Sequence, residues 1–264
     1  MFVRLVDHMG SDDSIVQAAR ISYNNHGHQE DSQKTRHLIR YLMRNWHTTP
    51  FEMVEFKFHI KAPIYVARQW LRHRTASVNE VSARYTQIKD DEFYVPMEFR
   101  KQSVINHQGS DFSDPFDNET NNAFIELQNN TCNLAFENYK TLLDYGVAKE
   151  LARGVLPVCS MTEFYWKINL HNLFHFLRLR MDDHAQLEIV NMAKSIYDTI
   201  KPIVPLACEA FEDYRLNAVT LTGPEIFSMK NKTLENLSKR EQDEFKIKMR
   251  LIDNEGDTGT KWYQ

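Results

Sequence analysis

Three guanidinium groups fall within 13 residues in the run RHRTASVNEVSAR, from Arg72 to Arg84. Arg72, Arg74 and Arg84 can each grip a phosphate with paired hydrogen bonds, because the planar fork matches two anionic oxygens. Between them stand Ser77, Asn79 and Ser82, short polar side chains typical of a loop that wraps an anion. Glu80 is the acid of the run, able to anchor an arginine or to accept a bond from a sugar hydroxyl. A solvated basic face is the plainer alternative. Such faces are usually built from Lys and Glu, so Ser and Asn between arginines favour a local site for a phosphate-bearing ligand.

Three other segments carry candidate chemistry. On a helix, His171, His175 and Arg178 share one face and Arg180 and His184 another, with Asp182 and Asp183 close by. These side chains could ligate a metal or make hydrogen bonds at a helix end. The segment WHTTPFE, residues 46–52, brings His47 and Thr49 to a turn before a strand. The segment KELARGVLP, residues 149–157, carries Arg153. Alone, each of the last two is routine.

Hydrophobic periodicity indicates what positions these groups. Ser11, Asp12 and Asp13 cap a short helix over 11–22, and residues 32–46 form an amphipathic helix. Val54, Phe56, Phe58 and Ile60 alternate with Glu55, Lys57, His59 and Lys61, which predicts a half-buried strand over 53–61. Pro63 opens a helix to about Leu71. Residues 97–117 read as a long surface loop, 119–145 as a long helix ended by Gly146, and 148–154 as a short helix stopped by Pro157. Residues 158–168 alternate again as a strand, and helices dominate from 170 to about 214. The tail lacks a strong apolar face until Phe245, Ile247 and Leu251. The expected class is α+β: one domain with several helices around a small, mostly antiparallel sheet. The expected boundary separates residues 1–215 from a charged extension, 216–264, of uncertain structure.

The chain has 264 residues, 42% hydrophobic, enough for one large domain. A formal net charge of −4 weighs against a general nucleic-acid binder, so phosphate recognition must be local. Cys132, Cys159 and Cys208 are widely spaced and odd in number, giving neither a disulfide framework nor a zinc spacing. A cytoplasmic location is the simplest reading. The N-terminus is too short and too charged for a signal peptide, and no run of 18 apolar residues predicts a membrane span.

Taken together, the segments resemble the flavin-dependent thymidylate synthases. That family's signature is matched at Arg72, His73, Arg74, Ser77, Asn79, Glu80, Ser82 and Arg84, and the flanking KAPIYVARQW, HTTPFE, ELARGVLP and RLRMDDHAQLEI also look like it. The resemblance covers roughly residues 10–215. It implies reductive methylation of dUMP to dTMP, with 5,10-methylenetetrahydrofolate as carbon donor and NADPH-reduced FAD as hydride source. The family lacks the active-site cysteine of the other thymidylate synthases, in keeping with three cysteines that lie outside all four segments. For FAD the resemblance implies Thr49, Arg72, His73, Arg74, Glu80, Asn169, Leu170, His171 and His175. For dUMP it implies Gln69, Trp70, Leu71, Arg72, Glu80, Val81, Ser82, Ala83, Arg84, Arg153 and Arg180. Its catalytic set is Arg180 beside the uracil, Ser82 close to the nucleotide, and His47 near the flavin or folate. It implies no metal and a homotetramer whose active sites draw on several subunits.

Two other functions fit parts of the pattern. A metal-dependent phosphohydrolase would use His171, His175, Asp182, Asp183 and His184. A nucleic-acid-binding module would use the arginine run.

Overall fold

The structure, a computed structural model, describes residues 1–22, 32–88, 92–104, 109–182 and 184–252. The chain divides into two compact units, Met1–Phe211 and Glu212–Gln264. The first runs β1 (Phe2–Met9), α1 (Asp12–Ile21), α2 (Ser32–Arg44), α3 (Thr49–Glu52), β2 (Glu55–Pro63), α4 (Ile64–Trp70) and β3 (Ser77–Glu80). It continues through β4 (Lys101–Gln102), β5 (Ser110–Asp111), α5 (Asn118–Asp144), α6 (Lys149–Ala152), β6 (Met161–Asn169), α7 (Leu170–Arg180), α8 (Leu187–Ile200) and α9 (Pro205–Phe211).

Alternation creates the sheet. Its order is β1-β2-β6-β3, with every neighbouring pair antiparallel. The central register sets Phe56 opposite Ile168, Phe58 opposite Trp166, and Ile60 opposite Phe164, all buried. One strand face therefore becomes the core and the other carries Lys57, His59 and Lys61. Two helices lie against the apolar side. Trp70 of α4 meets Phe164 and Trp166 edge-on, at ring-centroid distances of 5.9 and 5.3 Å. Phe176 of α7 lies 4.7 Å from Trp70 and 4.9 Å from Trp166. Each such side chain contributes about 1.5–3 kcal/mol by leaving water. The cluster fixes the end of α4 and the body of α7 to the same strand.

Both predicted strands form, displaced by two or three residues at their starts. Pro63 ends β2 and caps α4: its φ of −65° suits a helix start, while its ψ of 147° is still extended. Ser11 caps α1 as expected. Asp12 serves another helix, accepting from the backbone N–H groups of Leu206 and Ala207 at the start of α9.

The N-terminal segment forms β1, which the charges at Arg4, Asp7 and His8 obscure in the sequence. Two expectations need correction. The arginine run is not loop throughout, because Ser77–Glu80 pairs with Lys167–Phe164 as an edge strand. The 97–117 region includes the β4–β5 pair, and Arg100 ties it to the buried Glu188 of α8 at 2.7 Å. Although far apart in sequence, Cys132 and Cys159 meet in the core with their Sγ atoms 3.2 Å apart. Both are free thiols, and burial pushes that of Cys132 up to about 12.

The second unit contains a π-helical turn (Glu212–Leu216), α10 (Gly223–Asn231) and α11 (Lys239–Ile252). A capping box between Thr222 and Glu225 starts α10. Leu237, Phe245 and Met249 form a small core supported by Leu221 and Leu234. The charged tail thus contains two helices where described. Among the described residues, no helix is long and apolar enough to cross a membrane.

Candidate active site

The end of α4 leaves a spare acceptor. Leu71 N–H bonds to Ala67 and His73 N–H to Trp70, so the Gln69 carbonyl is not used by the helix at those positions. Arg180, the last residue of α7, donates from Nη2 to that carbonyl at 3.1 Å. Its Nε donates to Nε2 of His73 at 3.0 Å. An acceptor at Nε2 requires the His73 ring proton to sit on Nδ1. The ring is buried, packed 4.9 Å from Phe176 and 6.0 Å from the His175 ring. Burial, with Arg180 and His175 nearby, pushes its pKa down from 6.5 to about 4. His73 is therefore a neutral acceptor at physiological pH. Arg180 is held in place without being neutralised, and its Nη1 has no protein partner among the described residues. A guanidinium fixed this way can stabilise negative charge developing on a ligand.

The run after His73 passes Arg74 and enters β3 with its side chains exposed. Among the described residues, the side chains of Arg72 and Arg74 make neither a hydrogen bond nor an ion pair. Glu80 does not anchor an arginine. It accepts from Thr162 Oγ1 of β6 at 2.5 Å. Val81 N–H continues the pairing onto Glu163. The Ser82 carbonyl accepts from Tyr85 and Thr86, closing a turn that carries Arg84. Arg84 faces Glu150 at 3.3 Å, with both side chains more than half exposed, so the pair is weak and screened.

Two clefts take in other candidate residues. One, of about 450 Å³, is lined by Glu80, Val81, Ala83, Arg153, Thr162 and Glu163 among others. Arg153 lies in the 3-10 turn Arg153–Val155, exposed, with Nε on the Glu150 carbonyl at 3.3 Å. The other, also about 450 Å³, includes Arg20, Tyr41, His47, Thr48, Thr49 and Pro50. His47 meets the Tyr41 ring edge-on at 5.6 Å. The chain is aimed there by the end of α2, where Trp46 adopts φ 61° while His47 N–H bonds to Leu42. Such a helix ending usually uses glycine, and a bulky residue there is unusual.

The candidate residues thus form three groups. Gln69, His73, His175 and Arg180 converge around the α4–α7 junction. Glu80, Val81, Ala83 and Arg153 share the first cleft, while His47 and Thr49 share the second. Trp70 and Leu170 are wholly buried, so their side chains build the core and leave only backbone for a ligand. The Asn169 side chain caps α7 by accepting from Asn172 N–H at 3.0 Å. His171 is half-buried in the first turn of that helix. His184 does not share a helical face with Arg180, because α7 ends at Arg180 and His184 instead pairs with Asp182 at 2.7 Å. Among the described residues, no group of three or more His, Cys, Asp or Glu side chains is placed to hold a metal ion, and Asp183 lies outside them.

Two side chains that sequence reasoning did not single out support the candidates. Thr162 holds Glu80, and Gln186 accepts from Gln69 Nε2 at 2.5 Å. Thr162 was hidden in a strand pattern. Gln186 carries one local signal: it occupies the N-cap of α8 but makes no side-chain cap bond.

Known proteins share this arrangement of sequence and fold. Residues 4–206 match the family described as thymidylate synthase complementing protein. A flavin-dependent thymidylate synthase from Wolbachia pipientis wMel is 49% identical over 96% of this chain and 90% of its own length. One from Thermus thermophilus is 51% identical over 87% of this chain and 82% of its own. The crystal structure of a UMP/dUMP methylase, PolB from Streptomyces cacaoi, bound with 5-Br dUMP, superposes with a TM-score of 0.74. Its identity is 35%, covering 81% of this chain and 95% of that one. With the family matched over most of the first compact unit and relatives near half identity along nearly the whole sequence, the chain belongs to the thymidylate synthase complementing protein family.

Proposed function

We propose that the chain is a flavin-dependent thymidylate synthase, converting dUMP to dTMP with 5,10-methylenetetrahydrofolate as carbon donor and NADPH as reductant of FAD. The observation that carries this reading is the pinned Arg180. It is fixed by two neutral acceptors and keeps its full charge beside a run whose Arg72 and Arg74 are unpaired among the described residues. Both FAD and dUMP are phosphate-bearing, and such a donor set suits them.

Bound FAD supplies hydride chemistry, and the protein supplies position and charge. Arg72, His73, Arg74, Glu80 and His175 hold the flavin nucleotide, with Thr49, Asn169, Leu170 and His171 contributing from their segments. Gln69, Leu71, the Glu80–Arg84 stretch and Arg153 hold dUMP. Arg180 favours the ionised form of the uracil ring. Ser82 lies close to the nucleotide, and His47 supports the flavin or folate.

The active form is a homotetramer with active sites shared between subunits. Its support is that the candidate residues of one protomer lie in separate groups, and that Arg72 and Arg74 are exposed. The catalytic unit is residues 1–215, the location is the cytoplasm, and neither nucleic acid nor membrane is a partner. Light scattering tests the assembly: a mass of four chains is expected, and a stable monomer making dTMP contradicts it.

The activity is tested by the visible absorption spectrum of the purified protein. A flavin spectrum, bleached by NADPH, is expected. A colourless protein that takes up no added FAD contradicts the reading.

A further inference from the structure

We propose that Gln186 is a positioning residue for Arg180, acting through Gln69. The proposal rests on the function above. Arg180 ends α7 and Gln186 precedes α8, so the two residues bracket one short connection. Both reach across to the same residue of α4. Arg180 donates to the Gln69 backbone carbonyl, while Gln186 accepts from the Gln69 side-chain amide. Gln69 is thus gripped from both ends of the α7–α8 connection.

The grip is stiff on each side. Helix α8 buries Glu188, Ile189 and Val190 in its first turn, and the Gln186 carbonyl accepts from both Ile189 and Val190 N–H groups at 3.1 Å. On the other side, Trp70 is fixed in the aromatic cluster immediately after Gln69. The residue type is also telling. Ser, Asp or Asn would be favoured at a helix N-cap. A half-buried glutamine there forgoes local capping for a contact 117 positions away. That contact fixes the carbonyl against which Arg180 is set, and hence the direction in which its Nη1 points.

The test measures dTMP formation by the FAD-loaded enzyme, with kcat, KM for dUMP and the thermal midpoint. Gln186→Leu removes the acceptor, Gln186→Asn is too short to reach Gln69, and Gln186→Glu keeps an acceptor at the same reach. The expected result is a fall in kcat of about fivefold to tenfold for Gln186→Leu and Gln186→Asn, the size of one lost hydrogen bond. Flavin content is retained, KM changes less than kcat, and Gln186→Glu stays within about twofold of wild type. In an Arg180→Lys background, Gln186→Asn adds little further loss, because the two changes break one arrangement. Wild-type kcat in both Gln186→Leu and Gln186→Asn overturns the proposal. So does an equal loss in Gln186→Glu, or an undiminished loss in the Arg180→Lys background. A wild-type enzyme that makes no dTMP would instead overturn the function itself.

Discussion

Arginines do opposite work in two parts of the first unit. Between α2 and α9, Arg36 and Arg40 converge on Glu209, with Arg36 Nη2 at 2.6 Å and Arg40 Nη1 at 2.5 Å. The bonds from Arg36, then Arg40, hold that carboxyl below its usual range. Arg100 is likewise matched by buried Glu188. At the α4–α7 junction, Arg180 has a neutral imidazole and a carbonyl as partners. Arg72 and Arg74, close by, have none among the described residues. Arginines that join helices are neutralised by acids within the fold. Arg72, Arg74 and Arg180 keep their charge, which suits an anionic ligand, whereas Arg84 has only the exposed, weak pair with Glu150.

Changing charge at the two places should separate activity from stability. The largest effect is expected for Arg180→Ala, which should lower dTMP formation about 100- to 1,000-fold while FAD stays bound. Stopped-flow or product analysis with flavin-loaded protein measures it. Full activity in the variant contradicts the role given to Arg180.

Acid should weaken the same junction. His73 has a folded pKa of about 4 against 6.5 for an ordinary histidine. Between these values the unfolded chain binds a proton that the folded one does not, so this residue's contribution to stability falls as pH drops from 6.5 toward 4. The loss is on the order of 3 kcal/mol at the acid end. Denaturation curves across that range should show it, and His73→Gln, which keeps an acceptor but does not titrate there, should flatten the slope. An unchanged slope in the variant contradicts the assignment.

At the clamp between α2 and α9, loss of charge should act on stability and not on activity. Glu209→Gln should cost roughly 1–2 kcal/mol of stability, discounted for partial exposure. Activity per folded molecule should be unaffected. Arg74→Ala should give the smallest change in stability and weaken FAD about tenfold, measured by flavin titration. A large drop in thermal midpoint for Arg74→Ala would place that arginine with the structural ones.

The sequence made this contrast only partly legible. The alternation at Val54–Ile60 and Thr162–Ile168 identified the two central strands, because burial on one face leaves a period of two. The α5 helix and the cap at Ser11 were equally readable. β3 was not, since all four of its residues are exposed and its pairing with β6 comes from backbone bonds. The eight matched signature positions located the candidate site before any geometry. They did not reveal that Trp70 is core, that Glu80 is held by Thr162, or that His73 is the acceptor for Arg180. Those depend on contacts between residues 82 to 107 positions apart, which no local pattern encodes.

The role proposed for the pinned Arg180 in flavin-dependent methylation of dUMP can be examined in one single-turnover experiment. It follows dTMP formed from dUMP and 5,10-methylenetetrahydrofolate by NADPH-reduced, FAD-loaded protein. The wild type is predicted to give dTMP in near-stoichiometric yield per flavin, and Arg180→Ala a rate at least about 100-fold lower. Flavin that is bound and reduced without dTMP appearing, or equal rates in the two proteins, would contradict that role.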